Sequence, residues 1–132
     1  MRAGSILRQI IQDRIIATVP EVAGRVYDKT SEADPFPNVT MGPSYWTAQD
    51  ADCIEGRLWT CQIDVWHQGV EKGQLEDLTD AITDALRGWS DDSVIAMHGF
   101  DIALVRNMDD PDGVTFHGVI QVETLVEDYG AA

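Results

Sequence analysis

Arg57-Leu58-Trp59-Thr60-Cys61-Gln62-Ile63-Asp64-Val65-Trp66-His67 is the stretch on which the fold turns. Trp59, Cys61, Ile63 and Val65 occupy alternate positions, and Leu58, Thr60, Gln62, Asp64 and Trp66 fill the gaps. Successive side chains of a strand point to opposite faces, so the run predicts a strand with one core face and one mixed face. The core face needs a cover. The mixed face needs another explanation.

Working outward, Val39 to Thr47 reads as a preceding strand, and Ala48 to Gly56 as a long acidic hairpin loop between the two, carrying Asp50, Asp52 and Glu55. On the other side, Gly69 to Trp89 places Leu75, Leu78, Ile82, Ala85, Leu86 and Trp89 at intervals of three and four, the spacing of a helix with one buried stripe. Ser90-Asp91-Asp92-Ser93 breaks that pattern ahead of a strand from Phe100 to Asn107. Asp109-Asp110-Pro111-Asp112-Gly113 then predicts a turn, because Pro presets one backbone angle and Gly accepts a positive φ. The last strand, Thr115 to Val126, has Phe116, Gly118, Ile120, Val122 and Thr124 on one face, with His117, Val119, Gln121, Glu123 and Leu125 on the other.

Upstream, Ile6, Leu7, Ile10, Ile11, Ile15 and Ile16 mark an amphipathic helix ending near Pro20. Arg25 to Asp28 is a short extended piece, and Lys29 to Asn38 an irregular connector whose Pro35 and Pro37 resist both helix and central strand. The expected fold is α+β: one domain over 1–132, a single antiparallel or mixed sheet of four to five strands, and two helices packed on one face. Trp46, Leu58, Trp66, Val119 and Leu125 are the candidates for a partly apolar second face, open to reading as ordinary surface or as interface.

With 44% hydrophobic and 24% charged residues in 132, the composition is that of a globular chain. Twenty-three Asp plus Glu against 9 Lys plus Arg give a net charge of -14. A chain that grips phosphate does so by releasing counterions through Lys and Arg, and no basic run is present here for that purpose. No apolar stretch approaches the ~20 residues needed to cross a bilayer. Cys53 and Cys61 fit no zinc spacing; without a signal peptide, a reducing compartment and free thiols are expected.

His67, His98 and His117 belong to no catalytic or metal motif, and the glycines form neither a phosphate loop nor a dinucleotide fingerprint. Asp50, Asp52 and Glu55 offer oxygen ligands but lack the length and the central glycine of a calcium loop. Asp109, Asp110 and Asp112 read better as turn formers than as ligands. No catalytic, cofactor-binding or metal-binding residue is assigned. An assembly subunit, a binding adaptor and a small enzyme remain as function classes, with the first favoured.

Several strings, in order, resemble one family. They are Gly24-Arg25-Val26-Tyr27-Asp28, Pro35-Phe36-Pro37-Asn38-Val39-Thr40-Met41-Gly42, Ile63-Asp64-Val65-Trp66, Leu86-Arg87-Gly88-Trp89, Asp110-Pro111-Asp112-Gly113 and His117-Gly118-Val119. The family is that of the tail-completion, or tail-terminator, proteins of long-tailed phages and phage-like gene transfer agents. The resemblance implies a virion structural protein made in the host bacterial cytoplasm, without catalytic residues or cofactor. It further implies a homo-oligomeric, hexameric ring at the head-proximal end of the tail tube. Its partners would be the tail tube protein and a head-completion or neck protein, with DNA passing through the lumen without specific binding. Under that reading the candidate interface or lumen-facing residues are Trp46, Asp50, Asp52, Glu55, Trp66, Asp109, Asp110 and Asp112. A head-closure or neck adaptor of the same particle is the alternative.

Overall fold

The structure, a computed structural model, describes residues 2–29, 35–69 and 71–128. Residues 30–34 of the predicted connector, and Val70, lie outside the described residues. The first amphipathic run forms α1, Ala3–Thr18, which buries Ala3, Leu7, Ile10, Ile11 and Ile15 along one side. A 3₁₀ turn, Pro20–Val22, follows where proline cannot extend the helix.

Among the described residues five strands make one mixed sheet. They are β1 (Val26–Tyr27), β2 (Asn38–Ala48), β3 (Glu55–Gln68), β4 (Asp101–Asp109) and β5 (Thr115–Asp128), in the order β1-β2-β3-β5-β4. β1 lies parallel to β2, and every other neighbouring pair is antiparallel. The second helix, α2 (Lys72–Leu86), is shorter than the predicted 69–89. Gly69 and Gly88 explain the trimming: their φ angles of +70° and +71° are left-handed, a conformation that ends helices and suits glycine.

Both helices cover the same face, as expected. A Cβ added to Gly4 of α1 would lie 2.9 Å from the Trp59 ring, and one added to Gly118 would lie 2.7 Å from Thr79 Cγ2 of α2. Missing side chains at these two positions let the helix layer approach the sheet closely. Arg14 fastens the helices to each other: its Nε donates to the Ala85 carbonyl at 2.9 Å, and its guanidinium lies 4.7 Å from the centre of the Trp89 ring. Leu7, Ile11, Ile15, Ile63, Leu75, Ile82, Leu86, Phe100 and Ile120 form the fully buried centre between the layers. No helix among the described residues is long and apolar enough to cross a membrane.

Two expectations need correction. The hairpin loop predicted over Ala48–Gly56 is shorter than expected: β2 continues to Ala48, β3 starts at Glu55, and in the 49–54 connection Ala51 and Ile54 exchange both backbone hydrogen bonds across a tight Asp52-Cys53 tip. Trp46 also changes sides. It pairs with Trp59 on the helix side, while Trp66 lies on the opposite face. The cause is a register shift between Met41 and Ser44: one inserted residue inverts the alternation, and Pro43, which has no N–H to donate, sits in the bulge.

Candidate assembly surface

On the sheet face away from the helices, β3 and β5 place side chains that bond to one another. Trp66 stacks on His117 with ring centroids 3.8 Å apart and planes 9° from parallel. Its Nε1–H donates to Thr40 Oγ1 at 3.0 Å. His117 Nε2 pairs with Asp64 Oδ1 at 2.8 Å, the same oxygen that accepts from Gln62 Nε2 at 3.1 Å. Gln121 Nε2 reaches Gln62 Oε1 at 3.4 Å, which extends the chain of bonds along the sheet. A Cβ on Gly42 would fall 2.6 Å from Asp64 Oδ2, so glycine is what leaves room for the carboxylate beside β2.

Asp64 is buried although no helix covers it, because its neighbours surround it. A buried carboxylate is tolerated only when its oxygens have partners, and this one meets His117 Nε2 and accepts from Gln62 Nε2. The open face is thus a preorganised polar and aromatic surface. Its charged and titratable side chains are Asp64 and His117, which neutralise one another when the imidazole is protonated, Glu123, Asp101 and Arg106 toward the β4 side, and Glu127, paired with His98, toward the arm end.

Beyond the helix layer the β2–β3 hairpin projects as an arm, with residues 43–53 all exposed. Tyr45 is 58% and Trp46 42% exposed, a large aromatic area to leave in water. Arg57 covers one side of Trp46, its guanidinium carbon 4.1 Å from the ring centre, and its Nη2 pairs with Glu55 Oε1 at 3.0 Å. Gly56 is required here: an added Cβ would meet the Gln49 carbonyl oxygen at 2.1 Å. Asp50 works locally, its Oδ1 accepting the Gly56 N–H at 3.1 Å, while Asp52 stands exposed at the tip.

The acidic candidates fall into two groups that the fold keeps apart. Glu55 pairs across the sheet with Asp128 at one end of β3, and Gln68 pairs with Thr115 at the other. Asp50, Asp52 and Glu55 therefore stand at the arm end, on the order of 40 Å of strand away from Asp109, Asp110 and Asp112. Asp109 pairs with Lys72 at 3.1 Å. Asp110 Oδ2 accepts from the Asp112 N–H at 3.3 Å. Asp112 holds the β4–β5 turn: its Oδ2 accepts the Thr115 hydroxyl, and its Oδ1 accepts the N–H groups of Val114 and Thr115 at 2.9 and 2.8 Å. The hydroxyl bond first, then the backbone bonds, lowers its pKa below the ordinary carboxylate value. These are the bonds of a turn former, as the sequence predicts.

Cys53 is exposed and Cys61 buried, both as free thiols, and burial pushes the Cys61 thiol up to about 11. Burial also lowers the pKa of His67, which favours its neutral form. Among the described residues there is no group of three or more His, Cys, Asp or Glu side chains placed to hold a metal ion. Sequence reasoning missed the Gln62–Asp64–His117–Gln121 network and the exposure of Tyr45. The polar residues alternating with the core positions of β3 and β5 were the available signal for the network.

No curated protein matches the chain by sequence. Among solved structures, a chain of the virion of a native gene transfer agent particle superposes with a TM-score of 0.83 at 17% identity, over 97% of this chain and 100% of that one. The gp17 protein of bacteriophage SPP1 superposes with a TM-score of 0.57 at 18% identity, over 99% of each chain. The model of one protein family, described as tail completion protein gp17, matches residues 7–127, which is nearly every element of the fold from α1 to β5. On that match the chain belongs to the tail completion protein gp17 family.

Proposed function

We propose that this chain is the tail terminator of a phage or gene-transfer-agent particle, a non-enzymatic ring subunit that caps the tail tube and joins the tail to the head. The observation that carries this reading is the family match over residues 7–127, together with a fold shared end to end with a chain of a gene-transfer-agent virion. Six copies per ring is the number implied by the family resemblance. The whole chain acts as a single domain in it.

A ring needs a heterologous contact, in which one surface of a subunit meets a different surface of the next. The chain offers unlike surfaces for such contacts, among them an open sheet face, a projecting aromatic arm and the outer edges of the sheet. Capping then follows from asymmetry, when one ring face complements the tube and the other does not recruit a further copy. The tail tube protein and a head-completion protein are the partners. Acidic side chains such as Asp50, Asp52 and Glu55, if turned to the lumen, repel the phosphates of passing DNA and keep it from sticking. Replacing those three by Asn, Asn and Gln is expected to slow genome delivery, and unchanged delivery counts against the lumen placement.

Electron microscopy of particles carrying a labelled copy of the chain tests the assignment. Density for the label at the head-proximal end of the tube, directly on the last tube ring, is the expected result. Label on the head side of the junction, separated from the tube by another ring, identifies a head-closure adaptor instead.

A further inference from the structure

The sheet has two open edges, and they are unlike. Among the described residues β1 covers only Val39 and Thr40 of β2, so the outer edge of β2 is uncovered by them from the bulge onward. At the far side of the sheet, among the same residues, β4 pairs with β5 alone. The direction of the free backbone groups follows from the hydrogen bonds at the strand ends. Gln49 N–H donates to the Gly56 carbonyl, so Gln49, Thr47 and Tyr45 face β3, and the N–H and C=O groups of Ser44, Trp46 and Ala48 point outward. Asp110 N–H donates to the Thr115 carbonyl, so Met108 and Arg106 face β5, and Val105, Asn107 and Asp109 point outward. Each edge therefore offers three alternate residues with both backbone groups unused in the sheet.

We propose that the β2 edge at Ser44, Trp46 and Ala48 of one copy pairs with the β4 edge at Asp109, Asn107 and Val105 of the next, making one continuous sheet across the subunit boundary. This rests on the ring reading above and names its contact. The polarity fits: β2, β3, β5 and β4 alternate in direction, so a second β2 placed beside β4 continues the antiparallel alternation without a break. The faces fit as well. Trp46 and Asn107 both lie on the helix side, Asn107 Oδ1 receiving the Thr79 hydroxyl of α2, so the two helix layers stay on one side. Opposite edges of one molecule also make the contact heterologous, which is what ring closure demands.

The geometry allows closure. Followed through the pairings of β3 and β5, Trp46 is level with Thr124 and Asn107 with Gly118, an offset of six residues along the strand direction. That step is roughly 20 Å, and the four paired strands of each copy are roughly 19 Å wide. Together they incline the strands by about 45° to the ring axis, at the edge of the range in which sheets close on themselves. Pairing also takes exposed Tyr45, Trp46, Leu104 and Val105 out of water. Bulges at Met41/Ser44 and Ile102/Leu104 limit each edge to a short run, which protects the free subunit from uncontrolled strand addition.

In the proposed register Thr47 faces Arg106 as a non-hydrogen-bonded pair, the pairing in which Cα atoms approach to about 4.5 Å, within disulfide range. Particles are assembled with a chain carrying Cys53→Ser, Thr47→Cys and Arg106→Cys, oxidised, and run without reductant. The chain is expected to shift from monomer to a ladder ending in a closed multimer, while either single-cysteine control stays monomeric. Particles that show an intact ring by microscopy but only monomeric chain overturn this seam and leave the ring reading standing; particles that contain the chain without any ring overturn both. If the cysteine chain fails to enter particles, Val105→Pro decides. It removes an outward N–H and no bond within the sheet, so the monomer keeps its melting temperature and loses incorporation. Incorporation at the wild-type level overturns the seam.

Discussion

Ile63 and Asp64 are neighbours on β3, yet they belong to two different kinds of interior. Ile63 points to the helix side and is fully buried among aliphatic side chains; Asp64 points the other way and is buried by His117, Gln62 and the room that Gly42 leaves. One side is held by apolar burial, which is non-directional and tolerant of detail. The other is held by directional bonds between side chains, which fix a surface in one arrangement. The difference suggests a division of labour, in which the covered face folds the subunit and the open face presents it.

The largest expected effect breaks the first of these. Ile63→Ala leaves a cavity between the sheet and both helices, and is expected to cost about 2–5 kcal/mol in chemical denaturation. Asp64→Ala sharpens the contrast: it strips the acceptor from His117 and Gln62 without opening the core, and is expected to cost about 1–3 kcal/mol. A cost for Asp64→Ala equal to that of Ile63→Ala means the two faces are not distinct in kind.

A smaller effect separates the turn from both faces. Asp112 has its folded pKa lowered from 3.8 by the bonds it accepts, so it contributes stability that is fully present above that value. The contribution disappears as pH falls through the lowered folded value. The melting-temperature difference between wild type and Asp112→Asn is therefore expected to be constant from neutral pH to near 3.8 and to shrink below it. A difference that grows on acidification contradicts the assigned bonds. The least disruptive probe is chemical: a thiol reagent at neutral pH is expected to titrate Cys53 alone in the folded chain, and both cysteines once the chain is unfolded, because burial holds the Cys61 thiol at about 11.

Much of this was legible in the chain. The alternation in Arg57–His67 and Thr115–Val126 put the core residues Trp59, Cys61, Ile63, Val65, Ile120 and Val122 on the correct face, since the two strands pair without a shift in register. The helices were legible through their apolar intervals. What escaped was non-local or geometric. A bulge at Gly42-Pro43 inverted the face of Trp46, and only the partner strand reveals which residue of a bulged pair is the extra one. The acidic hairpin loop is shorter than expected, spanning 49–54, where the Gly56 backbone approaches Gln49 closely, a contact that residue type alone does not announce. The separation of the two acidic groups depends on strand length and pairing, and the open-face network on which residues lie opposite one another. Neither is encoded in a local motif.

The proposed role as terminator is tested most directly by the length of tails made without this chain. Loss of the subunit is expected to yield overgrown tubes of irregular length that lack heads, because nothing then ends polymerisation or completes the joint. Tails of normal length already attached to heads contradict it.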